Sequence, residues 1–288
     1  MLLERAYGGD SDPMLSEDRY AETEVADGVW EIRGVHGWGS GVNAAVVVSG
    51  KKAVVVDNLY KPPDARRMFR DLERRGIVPQ VLINTHWHTD HNIANYLYHC
   101  PIWAHRSAPR LLRKHWPNWV GSPSDKRAGG LRMKVPNRLF DKRVAFEFGD
   151  EKVELIHIPG HTPDSIGVHL PDRGVFIAGD AVMDLPFVSF GNSLDSITSL
   201  RRIQRLRPKL VIQGHGLPCR ISRLSQDIAY LSAVRRAAKT ARRAGVPRSK
   251  FLLSPLKRFL TPSRFRSLPG RYGEFHQGNL LTVWKEVG

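Results

Sequence analysis

The chain has 288 residues, a net charge of +16 and only two cysteines, Cys100 and Cys219. This length is enough for one large α/β domain or two small ones with a sizeable core, and two cysteines cannot build a disulfide framework. No apolar run approaches the roughly eighteen residues of a membrane-spanning helix, and the polar start lacks the pattern of a secretory signal. These features predict a cytoplasmic protein that does not associate with membranes.

The positive charge is concentrated in two blocks. Residues 101–145 carry a net charge of +9 and residues 201–288 carry +17, whereas residues 1–100 and 146–200 are net negative. Basic blocks can attract nucleic acid, but as often they form a solvated surface that keeps a protein soluble. Nucleic acid is therefore an alternative partner beside a small-molecule substrate, and the sequence does not give the oligomeric state.

The first part of the chain predicts an N-terminal arm followed by strands and a helix. Residues 1–27 lack periodic apolar spacing and are expected to be extended or loosely attached. Alternating or β-branched residues predict strands at 29–35, 44–48 and 53–56, the last two joined as a hairpin. Two prolines, an apolar face and a terminal glycine then predict a helix at 62–75.

The densest cluster of chemically active side chains follows an apolar run at 81–83. His86, His88, Asp90 and His91 fall within six positions there. Imidazole and carboxylate groups are the ligands that suit zinc and neighbouring transition metals. A chance occurrence of such a motif in one chain has odds on the order of one in a thousand. The motif therefore predicts a metal site at the carboxyl end of a buried strand.

The rest of the chain continues the alternation of strands and helices. Residues 106–140 form an exception, since their basic composition predicts a long loop with few regular elements. Strands are predicted at 102–105, 146–148, 153–158, 166–170, 175–178 and 210–212, and helices at about 197–206, 221–234 and 280–287. Prolines beyond residue 246 predict loops and short helices in the tail.

Four further loops at predicted strand ends carry residues that can bind or orient a metal ligand. Asp57 directly follows a buried apolar run, where an unpaired carboxylate would be costly. His161 follows a Pro-Gly turn, and Asp180 and His215 each follow a strand and a glycine. Each of these residues is weak evidence alone, because a histidine after a glycine is more often a turn residue than a ligand.

Taken in this order, the motifs resemble those of the metallo-β-lactamase superfamily over roughly residues 28–245. The resemblance implies an α/β fold, an αββα sandwich of two mixed β-sheets flanked by helices. Together with the patterns outside this range, it predicts three parts of the chain: an N-terminal arm at 1–27, a metallo-β-lactamase-fold domain at 28–245, and a C-terminal extension at 246–288 that packs on the same domain.

The resemblance further implies a dinuclear site for two zinc ions, with iron or manganese as alternatives. The seven implied ligands are His86, His88 and His161 for the first ion, Asp90, His91 and His215 for the second, and Asp180 as the bridge between them. Asp57 would orient a ligand histidine from behind. The carboxylates Asp90 and Asp180 are also the candidate catalytic groups, and Trp38, Phe187 and Phe190 are candidates for the substrate pocket wall.

The activity implied by the resemblance is hydrolysis of a carboxylic ester, thioester or lactone of a small molecule through a metal-bridging hydroxide. Asp180 favours this activity, because true β-lactamases of the superfamily usually lack the bridging aspartate. Three alternatives stay open: a phosphodiesterase or nuclease, suggested by the basic blocks, a mononuclear iron persulfide dioxygenase, and a β-lactamase. The sequence leaves the substrate and the native metal unspecified.

Overall fold

The computed structural model describes residues 20–35, 41–120, 131–268 and 272–288. Within these ranges the chain forms two mixed β-sheets with helices on their outer faces, which confirms the predicted αββα sandwich. The candidate pocket residue Trp38 lies outside the described residues, as do residues 1–19 of the predicted arm.

The first sheet contains seven strands that lie side by side in chain order. They are β1 Ala21–Ala26, β2 Val29–Gly34, β3 Val42–Ser49, β4 Lys52–Val56, β5 Val78–Ile83, β6 Ile102–His105 and β7 Arg138–Phe140. Neighbours from β1 to β4 are antiparallel, and neighbours from β4 to β7 are parallel. Strand β1, at the edge, is formed by residues of the predicted N-terminal arm.

The second sheet contains five strands in the order β12-β11-β10-β9-β8. They are β8 Arg143–Phe148, β9 Glu151–His157, β10 Ile166–Leu170, β11 Val175–Gly179 and β12 Leu210–Gln213. Only the pair β11 and β12 is parallel. The carboxyl ends of β11 and β12 therefore lie side by side, as do those of β4 and β5 in the first sheet.

The helices cover the outer faces of both sheets. They are α1 Pro62–Arg74, α2 Ala108–Val120, α3 Ser193–Leu206, α4 Ser222–Arg243, α5 Arg248–Leu252, α6 Pro262–Arg266 and α7 Tyr272–Glu286. Prolines start α1, and the Asn192 side chain caps α3 by accepting from two backbone amides. Across the described ranges, no helix has both the length and the hydropathy to cross a bilayer.

The prediction of a long loop at 106–140 is wrong where the chain forms α2 and β7. The basic composition of this stretch and Pro117 inside α2 hid the helical pattern. In the fold, Leu111, Leu112 and Trp116 are buried against the first sheet. Burial of side chains of this size stabilises the helix by about 1.5–3 kcal/mol each, which outweighs the local sequence preference.

Three apolar layers hold the sandwich together. The inner layer lies between the sheets and joins residues such as Val54 of β4 to Leu155 of β9. A second layer packs α1 and α2 on the first sheet, and a third packs α3, α4 and α7 on the second. Helix α7 contributes Leu280 and Val283 to the third layer, so the C-terminal extension shares a core with the second sheet.

Candidate metal centre

Loops from both sheets meet at one edge of the sandwich. The amide of Ile166 in β10 donates to the carbonyl of Thr85, which follows β5, at 2.8 Å. The amide of Asn43 in β3 donates to the carbonyl of Gly214, which follows β12, also at 2.8 Å. These two cross-sheet hydrogen bonds bring together loops that are distant along the chain.

All seven implied ligands converge at this edge in two buried groups that share Asp180. The groups are His86, His88, His161 and Asp180, and Asp90, His91, Asp180 and His215. Within each group, one ligand atom per residue lies within 4.8 Å of all the others. After β5, the chain forms two 3-10 turns, Thr89–His91 and Asn95–Leu97.

The carboxylate of Asp180 lies between the two groups. Its Oδ2 is 3.4 Å from His161 Nε2 and 3.7 Å from His86 Nε2. The same oxygen is 3.5 Å from His215 Nε2, and Oδ1 is 3.1 Å from His91 Nε2. One carboxylate is thus within reach of four imidazoles, which is the placement that a bridging ligand requires.

His86 shows that this cluster fits a divalent metal ion. Its Nε2 is buried and makes no hydrogen bond, an arrangement that costs free energy unless a partner binds there. Burial, together with the neighbouring imidazoles of His91 and His88, lowers the pKa of His86 well below its ordinary value. The ring is therefore neutral, and the neutral imidazole is the form that coordinates metals. Donor types and protonation state both match a metal-binding cluster.

In the second group, the neighbouring carboxylates favour the protonated form of His215. Burial alone would lower the pKa of His215, but Asp180 and Asp90 raise it to about 10. Burial likewise would raise the pKa of Asp180, but His215 and His91 hold it well below its usual range. A metal ion that binds here must therefore displace a proton, so its affinity falls as pH falls.

Asp57 lies behind the cluster and orients His91. Its Oδ2 is 2.9 Å from His91 Nδ1 and accepts a hydrogen bond from the Thr85 hydroxyl at 2.7 Å. Its Oδ1 accepts from the Thr85 amide at 2.8 Å. Asp57 has a φ of 59°, a left-handed conformation that costs a non-glycine residue about 1–3 kcal/mol. The contacts hold His91 with its Nε2 toward Asp180.

Two other histidines are oriented by backbone carbonyls. His161 Nδ1 hydrogen-bonds to the carbonyl of Phe187 at 2.7 Å, and His215 Nδ1 to that of Gly41 at 2.5 Å. In both rings, the bond at Nδ1 leaves Nε2 to face the cluster.

Sequence reasoning missed two asparagines that support the ligand loops. Asn92 donates to the carbonyls of two histidines in the motif, at 3.1 and 2.8 Å. Asn43 donates to the carbonyls of Gln213 and Gly216, at 2.9 and 2.6 Å, and so holds the loop of His215. No local signal marks Asn43, because its partners lie about 170 residues away along the chain. Asn92, at the end of the motif, could have been recognised from its position.

The predicted pocket residues Phe187 and Phe190 lie beside the first group. The ring of Phe190 is 5.1 Å from that of His88, and the ring of Phe187 is 5.9 Å from that of His161. Both belong to the loop that connects β11 to α3 and contains Asp180. Apolar groups are thus placed next to the polar cluster.

Comparisons with known sequences agree with this geometry. A family model described as the metallo-beta-lactamase superfamily matches residues 37–215. A probable metallo-hydrolase of Methanocaldococcus jannaschii is 28% identical over 205 residues, which cover 63% of this chain and 91% of that protein. A hydroxyacylglutathione hydrolase of Brucella ovis is 32% identical over 127 residues, which cover 43% of this chain and 41% of that protein.

Solved structures show the same fold. A metallo-beta-lactamase from Pontibacter korlensis matches with a TM-score of 0.61 and 19% identity, over 74% of this chain and 99% of that chain. The DIM-1 metallo-beta-lactamase matches with a TM-score of 0.62 and 18% identity, over 74% and 97%. At these identities, the likeness concerns the fold alone.

Proposed function

Because the chain belongs to the metallo-β-lactamase superfamily and is a metallo-hydrolase, we propose that it cleaves a carboxylic ester, thioester or lactone of a small molecule. The observation that carries the proposal is the position of Asp180 in both metal-binding groups. A carboxylate shared in this way is usual in the esterase, thioesterase and lactonase branches and is usually lacking in the β-lactamases. The match to a hydroxyacylglutathione hydrolase supports an acyl substrate, since that name specifies an acylated glutathione.

We propose two zinc ions as the cofactors, one in each group. Bound divalent ions of this kind supply an activated water and polarise the carbonyl oxygen of the substrate. In the reaction, water adds to the carbonyl carbon, the C–O or C–S bond breaks, and the leaving group takes up a proton. Asp90 is the most exposed ligand, at 8%, and its Oδ2 lies 3.3 Å from His215 Nε2. This supports our proposal that Asp90 is one of the catalytic groups.

A substrate panel tests the proposal. The full chain, loaded with zinc, should hydrolyse an acetyl thioester, a phenyl ester or a γ-lactone at least tenfold faster than nitrocefin or bis(p-nitrophenyl) phosphate. Preferred cleavage of the phosphodiester would instead support the nuclease alternative, to which the exposed arginines Arg201, Arg205 and Arg236 would contribute phosphate contacts. Preferred cleavage of nitrocefin would overturn the argument from Asp180.

Metal analysis of the same preparation tests the cofactors. Two equivalents of zinc per chain are expected after loading with excess metal. A preparation that holds a single iron and consumes oxygen with a thiol persulfide would replace the proposal with the dioxygenase alternative.

We further propose a cytoplasmic location, which agrees with the free thiols Cys100 and Cys219.

A further inference from the structure

Three phenylalanines form a continuous apolar surface beside the first metal-binding group, and we name Phe187, Phe190 and Phe275 the aromatic ledge. The rings of Phe187 and Phe190 meet edge to face at 6.0 Å. Phe275, from helix α7, stacks on Phe187 with centroids 4.6 Å apart and planes 25° apart. The ledge thus combines the loop that carries Asp180 with a residue from the C-terminal extension.

The loop that carries Phe187 is hydrogen-bonded to helix α7. Asn279 accepts a hydrogen bond from the amide of Val188 at 2.9 Å and donates to the carbonyl of Pro186 at 2.5 Å. Gly278 allows this close approach, since a Cβ there would lie 2.2 Å from the hydroxyl of Ser189. The two phenylalanines of the loop are therefore held in position before any ligand arrives, as is typical of small-molecule sites.

At its other end, the aromatic ledge contacts the loop that follows β5 and carries the histidine motif. The ring of Phe190 meets the buried indole of Trp87 edge to face at 5.7 Å, and Trp87 in turn stacks on His115 of α2 at 4.2 Å. Even with these contacts, 41% of Phe190 is exposed, and Phe187 and Phe275 are only half-buried. The fold thus keeps apolar ring surface accessible at the edge of the metal-binding cluster.

We propose that the aromatic ledge binds an aromatic or similarly flat apolar acyl group, so that the preferred substrates are aryl-acyl esters or thioesters. This inference rests on the proposed hydrolase function. The ledge contacts His88 and His161, which both belong to the first group, so a substrate carbonyl at that group would place its acyl substituent on the ledge. The three rings offer both edges and faces, the geometry in which aromatic groups pair most favourably.

Binding of carboxylate products tests the ledge without turnover. Calorimetric titration of the zinc-loaded full chain should show phenylacetate binding at least tenfold more tightly than acetate. Phe275→Ala and Phe190→Ala should each reduce this selectivity at least threefold. The control Phe265→Ala, which changes a 42% exposed phenylalanine on α6, should leave it unchanged. Because Phe190 lies on an exposed loop position, its variant tests the ledge even if Phe275→Ala fails to fold.

Kinetics on paired thioesters with one thiol leaving group gives the second test. Phe275→Ala should lower kcat/KM for the phenylacetyl thioester about tenfold, mainly through KM. The ratio of kcat/KM for the phenylacetyl thioester to kcat/KM for the acetyl thioester should therefore fall at least fivefold. Equal losses on both substrates, or unchanged selectivity for phenylacetate, would overturn the ledge proposal while leaving the hydrolase function intact. Ledge-dependent binding of phenylacetate without hydrolysis of any ester would instead refute the hydrolase function.

Discussion

Two neighbouring regions of this molecule bury charged groups in different ways. In the metal-binding cluster, the carboxylates Asp90 and Asp180 face imidazoles, whose charge depends on a proton. In the neighbouring region, Asp184 pairs with Arg223 at 2.9 Å, and Asp227 pairs with Arg264 at 3.3 Å. We name these last four residues the extension network, because Arg264 belongs to the C-terminal extension.

The comparison shows what each region requires. A guanidinium keeps its proton at all ordinary pH values, so the extension network carries its own permanent cations. An imidazole can lose its proton and then bind a metal, so the cluster at the sheet edge can accept cations from solution. The two regions meet at Gln213, whose side chain donates to Asp184 at 3.4 Å, two residues before His215. If the two regions are nevertheless independent, a substitution in one should leave the other unchanged.

The largest effect is expected in the extension network. Arg264→Met would leave Asp227 buried without its closest cation and should lower the free energy of unfolding by about 3 kcal/mol. Urea denaturation measures this loss, and Arg266→Met, at an exposed position on the same helix, is the control. Zinc stoichiometry should stay at two per chain. A loss of bound zinc in the folded variant would show that the two regions are coupled.

At the sheet edge, Asp180→Asn keeps the side-chain shape and removes the charge shared by both groups. The variant should retain about one metal ion and lose at least about a hundredfold in hydrolysis, which corresponds to roughly 2.7 kcal/mol of transition-state stabilisation. Metal analysis, circular dichroism and turnover on one sample measure the outcome. Asp195→Asn, at an exposed position of α3, should match the wild type. Full activity with two bound ions would remove Asp180 from the site.

Glu154 offers an intermediate case, a buried carboxylate with partly exposed cations. Burial opposes its ionisation, but hydrogen bonds from His169, Lys152 and Arg143 lower the pKa of Glu154 to about 2. Because the pKa of Glu154 is lower in the folded state than its unfolded-state value near 4.5, the ionised carboxylate stabilises the fold at pH values above about 4.5. This contribution disappears as pH falls toward 2.

Glu154→Gln should therefore cost about 1–2 kcal/mol at pH 7, after allowance for screening of the two exposed cations. The difference in the free energy of unfolding between the variant and the wild type should stay constant down to about pH 5 and become smaller below that pH. Thermal unfolding across this pH range, with the exposed Glu147→Gln as control, measures the trend. If the stability difference instead became larger as pH fell, Glu154 would not be the ionised, stabilising group described above.

The smallest effect is expected on the outer face of α4. Arg236 and Arg243 are exposed, so reversing both charges should change the stability by less than about 0.5 kcal/mol. Turnover of a neutral ester should stay within twofold of wild type. A large loss of turnover in the folded double variant would show that this basic face contributes to the active site. Arg235 is excluded from the test, since it is buried and paired with Glu286.

The sequence predicted the elements and the cluster wherever the signal was local. The buried strands β11 and β12 begin with continuous apolar runs, and the ligands Asp180 and His215 occupy the loops that follow them. The convergence of His161 and His215 could be expected only from the order of motifs, because the cross-sheet bonds at Thr85 and Asn43 join distant segments.

Other features of the structure could not be predicted from the sequence. Helix α2 was hidden by Pro117 and by its basic residues, although its apolar side chains pack on the first sheet. The net charge of the basic block at 201–288 does not show which of its arginines are buried, and Arg235 and Arg223 are paired with acidic groups. Phe275 gave no signal as a site residue, since its stacking on Phe187 depends on how the C-terminal extension folds back.

The two metal-binding groups have a mechanical consequence, because each draws ligands from both sheets. His86 and His91 follow β5 of the first sheet, whereas His161 and His215 follow β9 and β12 of the second. An ion in either group would act as a clamp on the open edge of the sandwich, and the edge could separate only after the ion left. Transient opening, and with it cleavage by proteases, would then depend on free metal concentration. The lifetime of the enzyme in a cell would then depend on the concentration of the metal ions that it binds.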